Sequence, residues 1–490
     1  MLRVTCTLLT LFSAFPSSAD DSISFKTYMD ERMAHHRVAG AAIVLIDEGK
    51  IDQEIYLGHA NANTQETINE DSVFQVGSVS KPVAAWVAMT MVEAGLLALD
   101  EPVSNYLTRW ELPPSEFDHN QVTLRRLLSH TAGLSLPGYP GFVEGTPLPT
   151  IEASLAGDTN GPGGVYVSQK PGDAFRYSGG GYTLMQLLVE EVTGETFNAV
   201  AHRTVIGPLG MTSSSYVAYD DLSARLVTAH GHRRNPIPHH NFRAQAAASL
   251  HANARDIARF AIANLNSSGV LRPESVKLMH QPVMDTEPGT GIGLGFFITG
   301  DGHIVGHSGS NFGWKARMQF APVEQRGIVV LTNSESGGAF GYEVVCEWDK
   351  TLGAGALQKD CDAFAENAAS TAALFNWITL TLYLIFIILA GFTVRMLMRK
   401  DRTVGTPIGP VRWLVSILLV VLGVGWAWFF YTALGAYLIS GSIPVFATID
   451  FLPDGFRDLS IAVLCVLGVL FLLSLLQPRR PEQIKSGFNG

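Results

Sequence analysis

Ser78 and Lys81 stand three residues apart in the run Phe74-Gln75-Val76-Gly77-Ser78-Val79-Ser80-Lys81-Pro82. On a helix, residues at that spacing share one face, so an ammonium at 81 can reach the hydroxyl at 78. A serine hydroxyl becomes a good nucleophile only when a neighbouring base takes its proton, and a lysine held close is one such base. The S-x-x-K spacing alone arises by chance about once in a chain of this length. The pair therefore gains meaning only from partners elsewhere.

Two other segments supply candidates. One is Pro171-Gly172-Asp173-Ala174-Phe175-Arg176-Tyr177-Ser178-Gly179-Gly180-Gly181-Tyr182, a Gly-rich turn before a helix. The other is Gly306-His307-Ser308-Gly309-Ser310-Asn311-Phe312-Gly313, a turn or edge strand. With the serine run, and in this order, they resemble the β-lactamase-related serine hydrolases. That superfamily includes class C β-lactamases, penicillin-binding DD-peptidases, D-aminopeptidases and esterases. The resemblance runs from about Phe25 to Thr351. It is supported by Val122 to Leu134, with its Ser129-His130-Thr131-Ala132-Gly133-Leu134, and by Ala246 to Phe260.

The resemblance implies roles. Ser78 would be the acylated nucleophile, Lys81 would ease its deprotonation, and Tyr177 would shuttle protons. A tyrosine with its ordinary pKa of about 10 is a poor base at neutral pH, and nearby cations at Lys81 and His307 would favour its anion. His307, Ser308 and Gly309 occupy the K-T-G position on the strand lining the site. The backbone N–H groups of Ser78 and Ser310 would form the oxyanion hole. His130 is expected to be structural, since a lone histidine is more often packed.

Two departures narrow the substrate. Gly179 replaces the asparagine of the family's Y-x-N motif, which helps hold a substrate amide. His307 replaces a permanent cation with one that is charged conditionally. Both point towards an ester or small-amide substrate, D-amino-acid or cell-wall-derived compounds included. A DD-carboxypeptidase or β-lactamase proper is the first alternative. A sensor that only binds through the same fold is the second, and the intact serine, lysine and tyrosine count against it.

The elements that must position these residues follow from patterning. Ala41 to Ile46 and Ile51 to Leu57 flank Asp47-Glu48-Gly49-Lys50, a hairpin signal. Arg317 to Phe320 and Gly327 to Thr332 flank a second turn. Apolar residues at helical spacing predict a helix over Val83 to Leu97, and Thr123 is placed to cap a helix opening at Leu124. Strands at both ends with helices between predict an α+β unit with a mainly antiparallel sheet. The resemblance adds a helical subdomain and a serine β-lactamase/DD-peptidase-like fold over residues 20–364.

Beyond about residue 370 the composition changes. Apolar runs at about 375–396, 413–438 and 459–476 are each near the length needed to cross a bilayer, which predicts an all-α membrane region over 365–490. Arg395, Arg399, Lys400, Arg402 and Arg412 crowd the first connection, and Arg479, Arg480 and Lys485 the tail. Positive segments stay in the cytoplasm, so the globular region is expected on the extracytoplasmic (periplasmic or outer) face and the C-terminus inside. A secretory signal at 1–19 agrees: Arg3, an apolar core over Leu8 to Phe15, then Ser17-Ser18-Ala19.

Net charge is −10, against the basic stripe of a nucleic-acid binder. The sequence carries no H-E-x-x-H cluster and no phosphate loop, so no metal or cofactor is expected. Of four cysteines, Cys6 leaves with the signal and Cys465 lies in an apolar run; Cys346 and Cys361 either pair or stay free.

Overall fold

Nine strands form one antiparallel sheet. They are β1 (Gly40–Asp47), β2 (Lys50–Asn61), β3 (Glu66–Thr67), β4 (Met284–Glu287), β5 (Thr290–Ile292), β6 (Phe297–Thr299), β7 (Ile304–Asn311), β8 (Trp314–Ala321) and β9 (Arg326–Thr332). Their order is β3-β2-β1-β9-β8-β7-β6-β5-β4, so the strand nearest the N-terminus pairs with the last, Ala41 opposite Thr332. The computed structural model describes residues 18–157, 163–218, 220–266, 268–287, 289–353, 355–399, 402–405, 409–428 and 454–478. The expected signal core, the end of the second apolar run (429–438), the connection up to 453 and the tail from 479 lie outside them.

The hairpin expected from Glu48-Gly49 forms as a two-residue loop. Both residues have positive φ, 48° and 66°, the geometry whose twist matches the flanking strands. Period-two alternation then divides the strands between two cores. Ala42, Val44, Val329 and Leu331 face a large core with the helices of one layer. Ala41, Ile43, Ile328 and Val330 face a smaller core closed by Phe340, Val344 and Trp348.

The helices that matter for function are α1 (Ser18–His35), α2 (Ser80–Glu93), α3 (Leu124–Leu128), α4 (Gly179–Thr193), α5 (Ala254–Leu265) and α6 (Gly337–Thr351). Helix α5 packs on one face of the sheet, and α6 on the other face with α1 against it. Helix α2 is buried all round, as its apolar sequence requires. Its span corrects the expected Val83 to Leu97. Ser80 opens it, and Gly95 at φ 71° ends it early. The N–H of Leu96 reaches the Met91 carbonyl and that of Gly95 the Val92 carbonyl, so the chain turns off before Leu97. Thr123 does cap α3, accepting from the Arg126 N–H.

Three further helices, α7 (Gln358–Met398), α8 (Pro410–Trp428) and α9 (Asp454–Leu475), contain stretches long and apolar enough to cross a membrane. Helix α7 runs for 41 residues, so the first apolar run is the distal part of a helix that starts beside the sheet domain. Two short strands, β10 (Arg402–Val404) and β11 (Leu476–Pro478), pair beyond its end. Cys346 on α6 and Cys361 on α7 form a disulfide, which settles what spacing left open.

Candidate active site

Ser78 lies in a short 3-10 turn, Gly77–Val79, immediately before α2. Ser78 thus lies just ahead of α2, not within it. Ser80 locks this turn: its hydroxyl donates to the Gly77 carbonyl at 2.5 Å and accepts from the Leu250 N–H at 2.9 Å. Two glycines allow β7 to lie against it. A Cβ on Gly77 would sit 2.7 Å from the Ser310 nitrogen, and one on Gly309 would sit 1.9 Å from the Val76 carbonyl oxygen. Gly309 is therefore a packing necessity, and it brings the Ser310 backbone against the turn that carries Ser78.

Lys81, on the first turn of α2, is buried under that turn. Its Nζ donates to Ser78 Oγ at 3.1 Å and to the Ala247 carbonyl at 2.7 Å. It lies 4.8 Å from the centre of the Tyr177 ring and 5.5 Å from that of Tyr182. It has no carboxylate partner among the described residues. Burial without a counter-charge disfavours the ammonium and pulls its pKa down to about 7. An amine that is half neutral near pH 7 can accept a proton from Ser78.

Tyr177 directly precedes Ser178, the cap of α4, whose hydroxyl accepts from the Gly181 N–H. The start of α4 thus aims the phenol at Ser78. His130 holds the ring from behind, stacked with centroids 4.2 Å apart and planes 30° apart. His130 is buried with φ 56°, and its Nδ1 accepts the Ser178 N–H at 3.1 Å. Its role is to position Tyr177, in line with the structural expectation. Burial raises the Tyr177 pKa and its hydrogen bond with Ser78 opposes this. The expectation that neighbouring cations favour the phenolate is overturned: desolvation dominates, and the phenol keeps its proton.

His307 is also buried. Burial lowers its pKa to about 3, and the Lys81 charge adds to the effect. The ring is neutral at any physiological pH. Its Nδ1 lies 2.6 Å from the Ser308 carbonyl, which can only accept, so Nδ1 carries the proton.

Ser78 and Tyr177 open onto two adjoining spaces. One, of about 420 Å³, is bordered by His307, Ser308, Ser310 and Phe297 and runs over β8 to the start of α6. The other, of about 260 Å³, lies under Pro137, Tyr139 and Phe242. Gly179 borders neither. Its N–H donates to the Pro137 carbonyl, and a Cβ there would meet that oxygen at 3.0 Å, so the expected substrate-binding role gives way to packing behind the Pro137–Gly138 segment. Sequence reasoning passed over Phe297, Asn311, Lys315 and Arg317. The last two were detectable, because Lys315 and Arg317 alternate with apolar Trp314, Ala316 and Met318 along one strand.

A model of the family described as Beta-lactamase matches residues 25–343. Penicillin-binding protein 4 of Amycolatopsis lactamdurans is 27% identical over 347 residues, covering 65% of this chain and 87% of that protein. Esterase EstB of Burkholderia gladioli is 28% identical over 200 residues, covering 39% of this chain and 50% of the esterase. The chain thus spans most of the first relative and half of the second. Among solved structures, the octameric penicillin-binding protein homologue from Pyrococcus abyssi superposes with a TM-score of 0.59 at 24% identity, covering 68% of this chain and 78% of the other. At that identity the likeness concerns the fold.

Proposed function

This chain belongs to the beta-lactamase family, and on that footing we propose that it is a membrane-anchored serine hydrolase that cleaves ester or amide substrates through a Ser78 acyl-enzyme. The observation that carries the reading is the buried Lys81 amine, 3.1 Å from Ser78 Oγ and without a carboxylate partner among the described residues.

In the proposed reaction the neutral Lys81 amine takes the Ser78 proton as Oγ attacks the substrate carbonyl carbon. The N–H groups of Ser78 and Ser310 receive the developing oxyanion. The protonated Tyr177 phenol donates to the departing oxygen or nitrogen as the tetrahedral centre collapses, and recovers a proton from the Lys81 ammonium. Water then attacks the acyl-enzyme with the same groups acting in reverse. A neutral His307 supports turnover of esters and small amides over substrates gripped by a K-T-G cation.

Helix α7 supports the anchoring. From Gln358 to the apolar run at 375 it spans about 17 residues, or roughly 25 Å of helix, between the sheet domain and a bilayer. The Cys346–Cys361 disulfide supports placement of the domain in an oxidising, extracytoplasmic compartment.

The test is hydrolysis of p-nitrophenyl acetate by the full-length protein in detergent. Wild type should turn it over, and folded Ser78→Ala should not. Equal rates in the two proteins would end the proposal.

A further inference from the structure

The Ser78 site lies at one end of the sheet, and the first long apolar helix departs past that same end. Register across the strands sets Ser310 opposite Lys315, Lys315 opposite Thr332, and Thr332 opposite Ala41. Helix α6 starts on this row. A Cβ on Gly337 would lie 1.8 Å from Thr332 Oγ1, so the helix opens in direct contact with it. It then runs back along β9: a Cβ on Gly341 would meet Val330 Cγ1 at 3.7 Å, and the Arg326 side chain, from the far end of β9, donates to the Thr351 carbonyl at 2.8 Å.

Helix α7 reverses this course. Cys361 is bonded to Cys346, and the Phe364 ring packs on Tyr342 with centroids 4.4 Å apart. Moving forward along α7 therefore means moving back along α6, so α7 emerges past Gly337. From Phe364 to the apolar run at about 375 is roughly 16 Å of helix, and from Tyr342 back to Gly337 about 7 Å. The run thus begins about 9 Å beyond the row that holds Ser310. Trp377, exposed near its start, is of the type that settles at headgroup level. Both spaces beside Ser78 reach this end. The larger is bordered by Gly337 and Gly338, and the smaller by Glu335, in the connection just before α6. The headgroup layer adds about 5–8 Å to each side of the hydrocarbon core, close to the gap that the two helices leave.

We propose that the Ser78 site faces the bilayer at headgroup height and takes its ester or amide from the headgroup of a membrane amphiphile. The inference rests on the anchored-hydrolase reading and names its substrate class. Hydrolysis adds water across that bond, leaves the tail-bearing fragment in the leaflet and frees the other. A bond beside the tails lies too deep for this site, whereas a bond in the headgroup lies level with it.

The experiment uses the full-length protein in phosphatidylcholine vesicles. One substrate is phosphatidylethanolamine whose amine carries 7-acetoxycoumarin-3-carboxylic acid as an amide. The other is the same coumarin amide of ethanolamine, free in water, so the scissile acetate is identical. Wild type should cleave the lipid-borne acetate about tenfold faster or more at equal bulk concentration, because site and substrate share one surface. Tethering alone would also favour it, so height is tested separately. Seven helix-forming residues inserted between Glu366 and Asn367 keep the helix face and lift the domain by about 10 Å. The insertion should cut the lipid-borne rate about tenfold and leave the soluble rate unchanged, because a reporter out of reach loses the tethering advantage. An aminohexanoyl spacer between lipid and coumarin should restore it. A second readout needs no turnover. Thr64→Cys and Lys50→Cys, each with Cys465→Ser, carry a fluorophore beyond opposite ends of β2, about 40 Å apart, with Thr64 at the Ser310 end. With rhodamine-labelled lipid as acceptor, position 64 should transfer energy strongly and position 50 weakly. Circular dichroism checks that every variant is folded. A lipid-borne rate no higher than the soluble one, a rate that the insertion does not change, or equal transfer from the two positions overturns the proposal. If wild type cleaves neither acetate but position 64 alone transfers strongly, the hydrolase reading fails and the bilayer-facing site stands. If both acetates are cleaved equally and the two positions transfer alike, the placement fails and the hydrolase reading stands.

Discussion

Lys81 Nζ lies 3.1 Å from Ser78 Oγ, is buried, and has no carboxylate partner among the described residues. The lysine is on α2, the serine one turn earlier, and the carbonyl of Ala247 completes the lysine's contacts at 2.7 Å. Burial, not a charged neighbour, is what tunes the amine towards neutrality.

That origin sets a pH profile. The amine is an active base only when deprotonated, so kcat/KM for a neutral ester should rise about tenfold per pH unit below about 7 and level off above it. The neutral His307 should add no limb of its own, and His307→Asn should leave the midpoint in place. A stopped-flow pH series between 5 and 9 checks this. A flat profile, or a midpoint near 4, would point to a different base.

Tyr177 is assigned the acid's part because burial keeps its proton. Tyr177→Phe retains the stack on His130 and removes only the hydroxyl, so the melting temperature should change little. The turnover number should fall by about 100- to 10,000-fold, the usual range for loss of a positioned proton donor. A loss that is larger for poor leaving groups than for p-nitrophenol would place the defect in leaving-group protonation; equal losses would remove Tyr177 from that step.

Gly309 tests the contact between β7 and the nucleophile turn. A Cβ there would fall 1.9 Å from the Val76 carbonyl oxygen, and both atoms are held by backbone. Gly309→Ala should destabilise the protein by about 2 kcal/mol or more and reduce kcat about 100-fold, as Ser310 is pushed away from Ser78. Chemical denaturation and ester kinetics on the same sample would check both, and unchanged kinetics would show that the Ser310 backbone does not contribute to turnover.

The Cys346–Cys361 disulfide closes a short loop between α6 and α7, with 15 positions of sequence separation. Replacing both cysteines with serine should lower stability by about 3 kcal/mol through greater freedom of the unfolded chain. Differential denaturation of the two proteins reads this directly, and an unchanged midpoint would mean that α7 is held without the bond.

Much of this arrangement is legible in the sequence where the signal is local. Glu48-Gly49 announces a two-residue turn, Thr123 a helix start, and Tyr177-Ser178-Gly179 the opening of α4, because each depends on the conformational preferences of neighbouring residues. The end of α2 is less legible. Its apolar spacing continues to Leu97, and only the left-handed geometry at Gly95 stops it. Long-range closeness is not legible at all from spacing. Gly179 is only two residues from Tyr177 in sequence, yet its neighbours are Pro137 and Gly138, while Arg317 reaches the cavity because β8 is paired in register with β7. The direction of the Tyr177 shift was equally hidden, since it depends on how deeply α4 and His130 bury the ring.

In the proposed reaction Ser78 becomes covalently acylated. Intact-protein mass spectrometry after a fluorophosphonate probe, followed by peptide mapping, measures this most directly. One adduct per chain is expected on the peptide containing Ser78, formed faster as pH rises through about 7 and absent from folded Ser78→Ala. An adduct of equal yield in Ser78→Ala, or labelling mapped to another serine, would contradict it.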